Sequence, residues 1–365
     1  MGKADERRKN QIEFLACGGE IEVGNAAGLP LDISDLLGID EGSGYVEAHI
    51  GSGLTADVYK LKINGEFWNL KKKRGDILVK NIDGQTSFLN EVQRRRDFER
   101  LKKENPAAYS GIVDTAYASL KNGIILSPWI DGGPIKKYSR AVFSGLFNTL
   151  FNIEIAGLFE YDLCPGNLLL QNDGTVRLFD FGYMYPYDPL TEYNPDGLQF
   201  PIFHPVERFE SRSFMQYLMD VEHECGMDSA LSEFRAEKEE ALNYYRKKAA
   251  WLEENAAAAE VLSLTWRFID GWEAGLAGRA ALEKLYAIES FRSFVLDIHD
   301  DVGGKSCTRE TLKKIEKVIH TIGSLHPLLI ENQGLFWGDE KLSRHELLAR
   351  YGEIKKLVVE YQLEK

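Results

Sequence analysis

Tyr161-Asp162-Leu163-Cys164-Pro165-Gly166-Asn167-Leu168-Leu169-Leu170 is followed, after the turn Asn172-Asp173-Gly174, by Val176-Arg177-Leu178-Phe179-Asp180-Phe181-Gly182. An apolar run, a turn and a second apolar run predict two short antiparallel strands. Asp162 stands five residues before Asn167 and eighteen before Asp180. The strand–turn–strand between them brings Asn167 and Asp180 close together. Phosphoryl transfer needs a carboxylate near the attacking hydroxyl and oxygen ligands that hold Mg²⁺ on the phosphates. Asp162 suits the first need, and Asn167 with Asp180 the second.

The two stretches resemble the catalytic loop (HRDxxxxN) and the metal loop (DFG) of the protein-kinase-like superfamily, in that order and at matching spacing. A DFG on its own is a turn after a strand; the pair carries the resemblance. It implies an α+β, bilobal protein-kinase-like fold, with an N-lobe antiparallel sheet bearing one helix and a mostly helical C-lobe. ATP and Mg²⁺ are then expected in the cleft between the lobes. Asp162 becomes the catalytic carboxylate, and Asn167 and Asp180 become the metal ligands.

Upstream, Val46, His49, Ile50, Val58, Leu61, Ile63, Phe67 and Leu70 alternate as in strands, and Asn64-Gly65 is the strongest hairpin signal in the chain. Two strands therefore flank Gly51–Gly53, and a third follows Gly65. Ile50-Gly51-Ser52-Gly53-Leu54-Thr55-Ala56-Asp57-Val58 looks like the family's phosphate-covering loop, with Ala56 in place of a third glycine. Glycines there let backbone N–H groups approach phosphate oxygens. By itself the stretch is a GxG turn in a hairpin. Under the resemblance, Gly51, Ser52 and Gly53 cover the phosphates and Val58 covers the base. Lys71, Lys72 and Lys73 end the third strand. Counting from the hairpin favours Lys71 as the phosphate-binding lysine, and Lys73 shares its face. Asn69 stands where the family has alanine.

Residues 86–104 carry an apolar stripe of Phe88, Leu89, Val92, Phe98 and Leu101, read as a helix capped by Thr86 or Ser87. Glu91, beside that stripe, is the expected partner of Lys71, with Glu99 the alternative. Strands are expected at 112–118 and 123–130. Ile124-Ile125-Leu126-Ser127-Pro128-Trp129-Ile130 resembles the hinge: Ser127 at the back of the pocket, adenine bonded to the backbone at Pro128 and Ile130. Pro128 lacks an N–H and can only accept. Asp131-Gly132-Gly133-Pro134 breaks the chain, and 139–158 reads as an amphipathic helix. The expected organisation is an extension over 1–40, an N-lobe over 41–130, and a helical C-lobe with further helices over 131–365.

Other features limit the acceptor. Glu160-Tyr161 replaces the family's His-Arg, which removes the usual activation by loop phosphorylation. Cys164 stands where Ser/Thr kinases place a lysine, and Asp-Leu-Cys-Pro-Gly-Asn looks like the loop of aminoglycoside and choline kinases. Pro205-Val206-Glu207-Arg208 weakly matches the Ala-Pro-Glu that closes the activation segment; a Pro-started helix explains it equally. Tyr183, Tyr185, Tyr187 and Tyr193 crowd the same segment. The first expectation is a Ser/Thr protein kinase, possible autophosphorylation included and bacterial in type because the helical part departs from the usual eukaryotic pattern. The alternatives are a small-molecule kinase with a cationic acceptor and a nucleotide-binding pseudokinase.

The 365 residues carry 44% hydrophobic and 28% charged side chains and a net charge of −13. That charge disfavours nucleic acid as a partner. Cys17, Cys164, Cys225 and Cys307 are scattered, without the spacing of a zinc site or a disulfide framework. His204, His223, His299 and His320 are also scattered and read as structural or surface residues. No signal-peptide pattern opens the chain, no apolar run is long enough for a membrane span, and Glu6 spoils a myristoylation signal at Gly2. A reducing, cytoplasmic setting is expected. The expected partners are ATP and either a protein substrate or a small-molecule acceptor.

Overall fold

Asn64 and Gly65 both adopt positive φ, 53° and 87°, the backbone that a tight two-residue hairpin turn demands. In this computed structural model, which describes residues 2–363 apart from 52 and 54, that hairpin joins two neighbouring strands of a larger sheet. In chain order the first elements are α1 (Lys3–Ala16), β1 (Glu22–Gly24), α2 (Ile33–Gly38), β2 (Val46–Ile50), β3 (Ala56–Ile63), β4 (Glu66–Lys73), α3 (Ile82–Glu104), β5 (Tyr117–Ser119), β6 (Ile124–Pro128) and β7 (Gly132–Gly133). The sheet order is β1-β5-β6-β4-β3-β2, antiparallel throughout. Then come α4 (Arg140–Ile155), β8 (Leu158–Glu160), β9 (Leu168–Gln171), β10 (Val176–Leu178) and β11 (Met184–Pro186). Here β9 pairs with β10 and β7, and β8 with β11.

Alternation along the strands gives the large sheet two apolar faces. One face presents Tyr59, Leu61, Leu70, Tyr117, Ile124 and Leu126, covered by Leu29, Leu31, Ile33, Leu36 and Ile39. The other presents Ala118 and Ile125, packed with Phe88, Leu89 and Val92 of α3. Residues 1–40 are therefore built into this unit. They supply the edge strand β1, a cover for one face, and α1. The last is tied to α3 by Arg8 on Asp83, at 2.7 Å, and by Thr86 Oγ1 on Gln11, at 3.2 Å.

Several element boundaries differ from the sequence reading. α3 begins at Ile82, with Asn81 as its cap accepting from Gly84 N at 2.8 Å. Thr86 lies inside the helix and bonds back to Ile82 O. Asn81 caps as well as Ser or Thr, and Gly84, a weak helix former, hides the first turn in the sequence. The strand expected over 112–118 shrinks to Tyr117–Ser119, while Ile112 makes an isolated bridge to Leu178.

The remaining elements are α5 (Pro205–Phe209), α6 (Met215–Cys225), α7 (Met227–Glu254), α8 (Ala259–Leu276), α9 (Arg279–Gly304), α10 (Arg309–Glu331) and α11 (Arg344–Glu360). α5 opens with Pro205 in its first turn and leads directly into a π-helical turn, Glu210–Phe214. The chain is thus α+β: an antiparallel sheet region followed by a mostly helical half. It divides into two units. The first comprises residues up to Lys137, Asn148–Tyr161 and Pro165–Gln199; the second comprises Tyr138–Phe147, Asp162–Cys164 and residues from Phe200 on. Tyr138, Phe143, Phe147, Phe209 and Phe214 form an aromatic centre in the second unit. No helix among the described residues is long and apolar enough to cross a membrane.

Candidate functional site

In the first unit, Lys71 lies opposite Val58 on β3 and Ile125 on β6. Residues directly opposite in an antiparallel pair share a face, so Lys71 points to the face that α3 covers. It is 7% exposed there. Its Nζ is 2.5 Å from Glu91 Oε2 and 2.7 Å from Asp180 Oδ2. Glu91 is 1% exposed and uses its other oxygen to accept from Arg95 Nη2 at 3.1 Å. Arg95 Nη1 in turn donates to Ser127 Oγ at 3.1 Å. Two cations and two carboxylates thus alternate along a chain from Arg95 to Asp180.

Burial alone would lower the Lys71 pKa, but Asp180 and Glu91 outweigh it and the net shift is upward. Burial likewise pushes Asp180 up, and Lys71 more than reverses this, leaving it below the usual carboxylate range. Both groups are thus held in their charged forms.

Asp180 has φ of +65°, a left-handed backbone that is costly for a non-glycine residue and is retained where surroundings enforce it. The surroundings here are α3. Asn90, fully buried, donates to the carbonyls of Phe181, Gly182 and Met184 at 3.0, 3.0 and 2.6 Å. Phe181 is buried against Phe98, with ring centroids 4.8 Å apart. A Cβ on Gly182 would meet Ser87 Cβ at 3.2 Å, so glycine lets this segment lie close to the helix. Asn167 is buried at the start of β9, and its carbonyl accepts from Phe179 N at 3.1 Å. Asn167 and Asp180 therefore sit at the same end of the β9–β10 hairpin. A carboxylate and an amide oxygen are hard donors that fit Mg²⁺, which takes few protein ligands and completes its shell with phosphate and water.

The loop joining β2 to β3 carries Gly51 and Gly53; Ser52 lies outside the described residues. A Cβ on Gly53 would fall 2.3 Å from the Ala56 carbonyl oxygen, so only glycine fits. Arg74, just past β4, donates to the carbonyls of Gly53 and Gly51, both at 2.9 Å, and pairs with Asp57 at 2.8 Å. Val58 is half-buried, Ser127 is fully buried, Pro128 is exposed opposite Trp68, and Ile130 is half-buried. Lys73 is exposed, Lys72 points the other way onto the carbonyls of Leu37 and Ile39, and Glu99 is half-buried.

Asp162 belongs to the second unit. Its Oδ1 accepts from Arg212 Nε at 3.0 Å. The structure thus brings Lys71, Glu91 and Asp180 together, sets Asn167 beside Asp180 on one hairpin, and gives Asp162 its own arginine. Arg74, Asn90, Arg95 and Arg212 were not singled out from the sequence. Arg95 carried a signal, four residues from Glu91 on a helix, hidden among neighbouring arginines. No model of a known protein family matches the chain, and no curated protein matches it.

Proposed function

We propose that this protein is an ATP- and Mg²⁺-dependent phosphotransferase of the protein-kinase-like class, acting on a Ser or Thr hydroxyl of a protein. The observation that carries this reading is the buried Lys71 ammonium between Glu91 and Asp180, at 2.5 and 2.7 Å, on a strand next to the glycine-bearing turn. Lys71 grips the phosphates of ATP, and Glu91 keeps its ammonium aimed. Backbone N–H groups around Gly51 and Gly53 cover the phosphates, while Val58, Ser127, Pro128 and Ile130 line the base. Asn167 and Asp180 hold Mg²⁺, which supplies charge neutralisation on the phosphate oxygens.

Asp162 orients the acceptor hydroxyl. The hydroxyl oxygen bonds to the γ-phosphorus as the bond to the β-phosphate oxygen breaks. ADP leaves, and the hydroxyl proton passes to Asp162. Most of the acceleration comes from positioning and electrostatic stabilisation.

A second reading, a small-molecule kinase with a cationic acceptor, draws support from the Asp162-Leu163-Cys164-Pro165-Gly166-Asn167 loop. Incubation with γ-labelled ATP and Mg²⁺, beside Asp162→Ala and Asp180→Ala, separates the readings. Label on protein with the wild type and with neither variant supports a protein kinase. ATP consumption only on adding amines or aminosugars supports the second reading. Nucleotide binding without turnover leaves a pseudokinase.

A further inference from the structure

Arg212 has no part in the phosphotransfer reading, on which this inference rests, yet its guanidinium is bonded to Asp162. It lies in the π-helical turn Glu210–Phe214. Such turns carry an extra residue per turn, are rare, and recur at functional sites because they re-aim the side chains they bear. This one is pinned on both sides of Arg212. Ser211 bonds to Glu207, and Ser213 Oγ is 2.7 Å from the Tyr138 hydroxyl.

The guanidinium then spreads over three carboxylates. Nε donates to Asp162 Oδ1 at 3.0 Å. Nη1 donates to Asp297 and, at 3.4 Å, to Asp301 Oδ1. The last two are themselves held from α10. Lys314 Nζ is 2.5 Å from Asp297 Oδ2, and Thr311 Oγ1 donates to Asp301 Oδ2 at 2.6 Å. Asp297 is 3% exposed. A planar fork whose edges are bonded to fixed partners has little rotational freedom, so a carboxylate bound to that fork inherits its direction.

We propose that Arg212 is a positioning residue for Asp162, and that Asp297 and Asp301 of α9, braced by α10, set its aim. The helices after residue 279 then belong to the catalytic apparatus through this arginine. Arg212 reaches the Asp162 carboxylate from fifty residues away in sequence. This contact ties Asp162 to the packing of α9 and α10.

The test uses the full chain and γ-labelled ATP, with kcat, KM for ATP and the affinity for a fluorescent ATP analogue measured for each variant. Arg212→Met is expected to lower kcat about 10²-fold, the scale of a small misplacement of a reacting group, with nucleotide affinity unchanged. Asp297→Asn is expected to act in the same direction more weakly, and the Arg212→Met/Asp297→Asn pair to be no worse than Arg212→Met alone. In an Asp162→Asn background, Arg212→Met should cost nothing further. Arg212→Lys, which keeps the charge without the fork, carries the test if Arg212→Met fails to fold by circular dichroism. An unchanged kcat, or an equal loss in the Asp162→Asn background, overturns the inference while the phosphotransfer reading stands. A wild type that transfers no phosphoryl group overturns both.

Discussion

Replacing Glu91 by glutamine removes one negative charge from a place where two buried cations depend on it. Lys71 approaches one oxygen at 2.5 Å and Arg95 the other at 3.1 Å. The amide keeps one acceptor oxygen, but its NH₂ must face one of the two cations. Breaking a buried ion pair from one side costs about 3–5 kcal/mol. Lys71 retains Asp180 and Arg95 retains the Ser127 hydroxyl, which places the expected loss at the lower end, about 3 kcal/mol. Urea unfolding followed by tryptophan fluorescence measures it as a lower midpoint at unchanged slope. On the proposed function, phosphotransfer should fall about 10²-fold, since Lys71 loses the group that aims it. Glu99→Gln, on the same helix but half-buried, is the control and should shift stability by less than about 0.5 kcal/mol. A double-mutant cycle with Lys71→Met should give a coupling of about 1–3 kcal/mol. If Glu91→Gln unfolds at the wild-type urea concentration, or if Glu99→Gln matches it, the buried ion-pair argument is wrong.

Gly53→Ala puts a Cβ 2.3 Å from the Ala56 carbonyl oxygen, so the turn must shift; KM for ATP should rise several-fold with little change in the urea midpoint, and an unchanged KM would count against a nucleotide role for this loop. Asn90→Leu removes the side-chain donor to the carbonyls of Phe181, Gly182 and Met184; Phe181 keeps Met184 N and Met184 keeps Arg94, so the loss should be about 1 kcal/mol, read by the same urea titration. Glu237 is fully buried in the second unit, where Glu210, Glu237 and Glu289 crowd the single ammonium of Lys238; burial, with Glu289 adding, pushes its pKa up to about 7. Its carboxyl therefore binds a proton more tightly folded than unfolded. That contribution is full below the unfolded carboxylate value and is lost as pH rises through about 7. Glu237→Gln should accordingly gain on the wild type between pH 5 and pH 8, by roughly 2–3 kcal/mol, and parallel pH–stability curves would refute this.

Local chemistry is what the sequence alone determined. Asn64-Gly65 demands a hairpin, alternating apolar residues make the strands beside it, and the spacing from Asp162 through Asn167 to Asp180 ties two oxygen-bearing side chains to one hairpin. These signals are legible because turn geometry and strand period act over a few residues. Tertiary structure decided everything that depends on what packs against what. Lys71, Lys72 and Lys73 are equivalent as a charge run, and only strand register with α3 above turns Lys71 toward Glu91 while Lys72 meets the opposite cover. Residues 1–40 read as an extension, yet they complete the sheet, because an edge strand of three residues and a short covering helix with its flanking turns leave little period in the sequence. Asp180 needs a left-handed backbone, and Asn90 and Phe98, far away in the chain, hold it there. Arg212 is the extreme case: a π-helical turn aims it, and its partners come from residues 162, 297 and 301. Electrostatic partnership across such separations carries no local pattern, because it is written in the packing of helices and not in the order of residues.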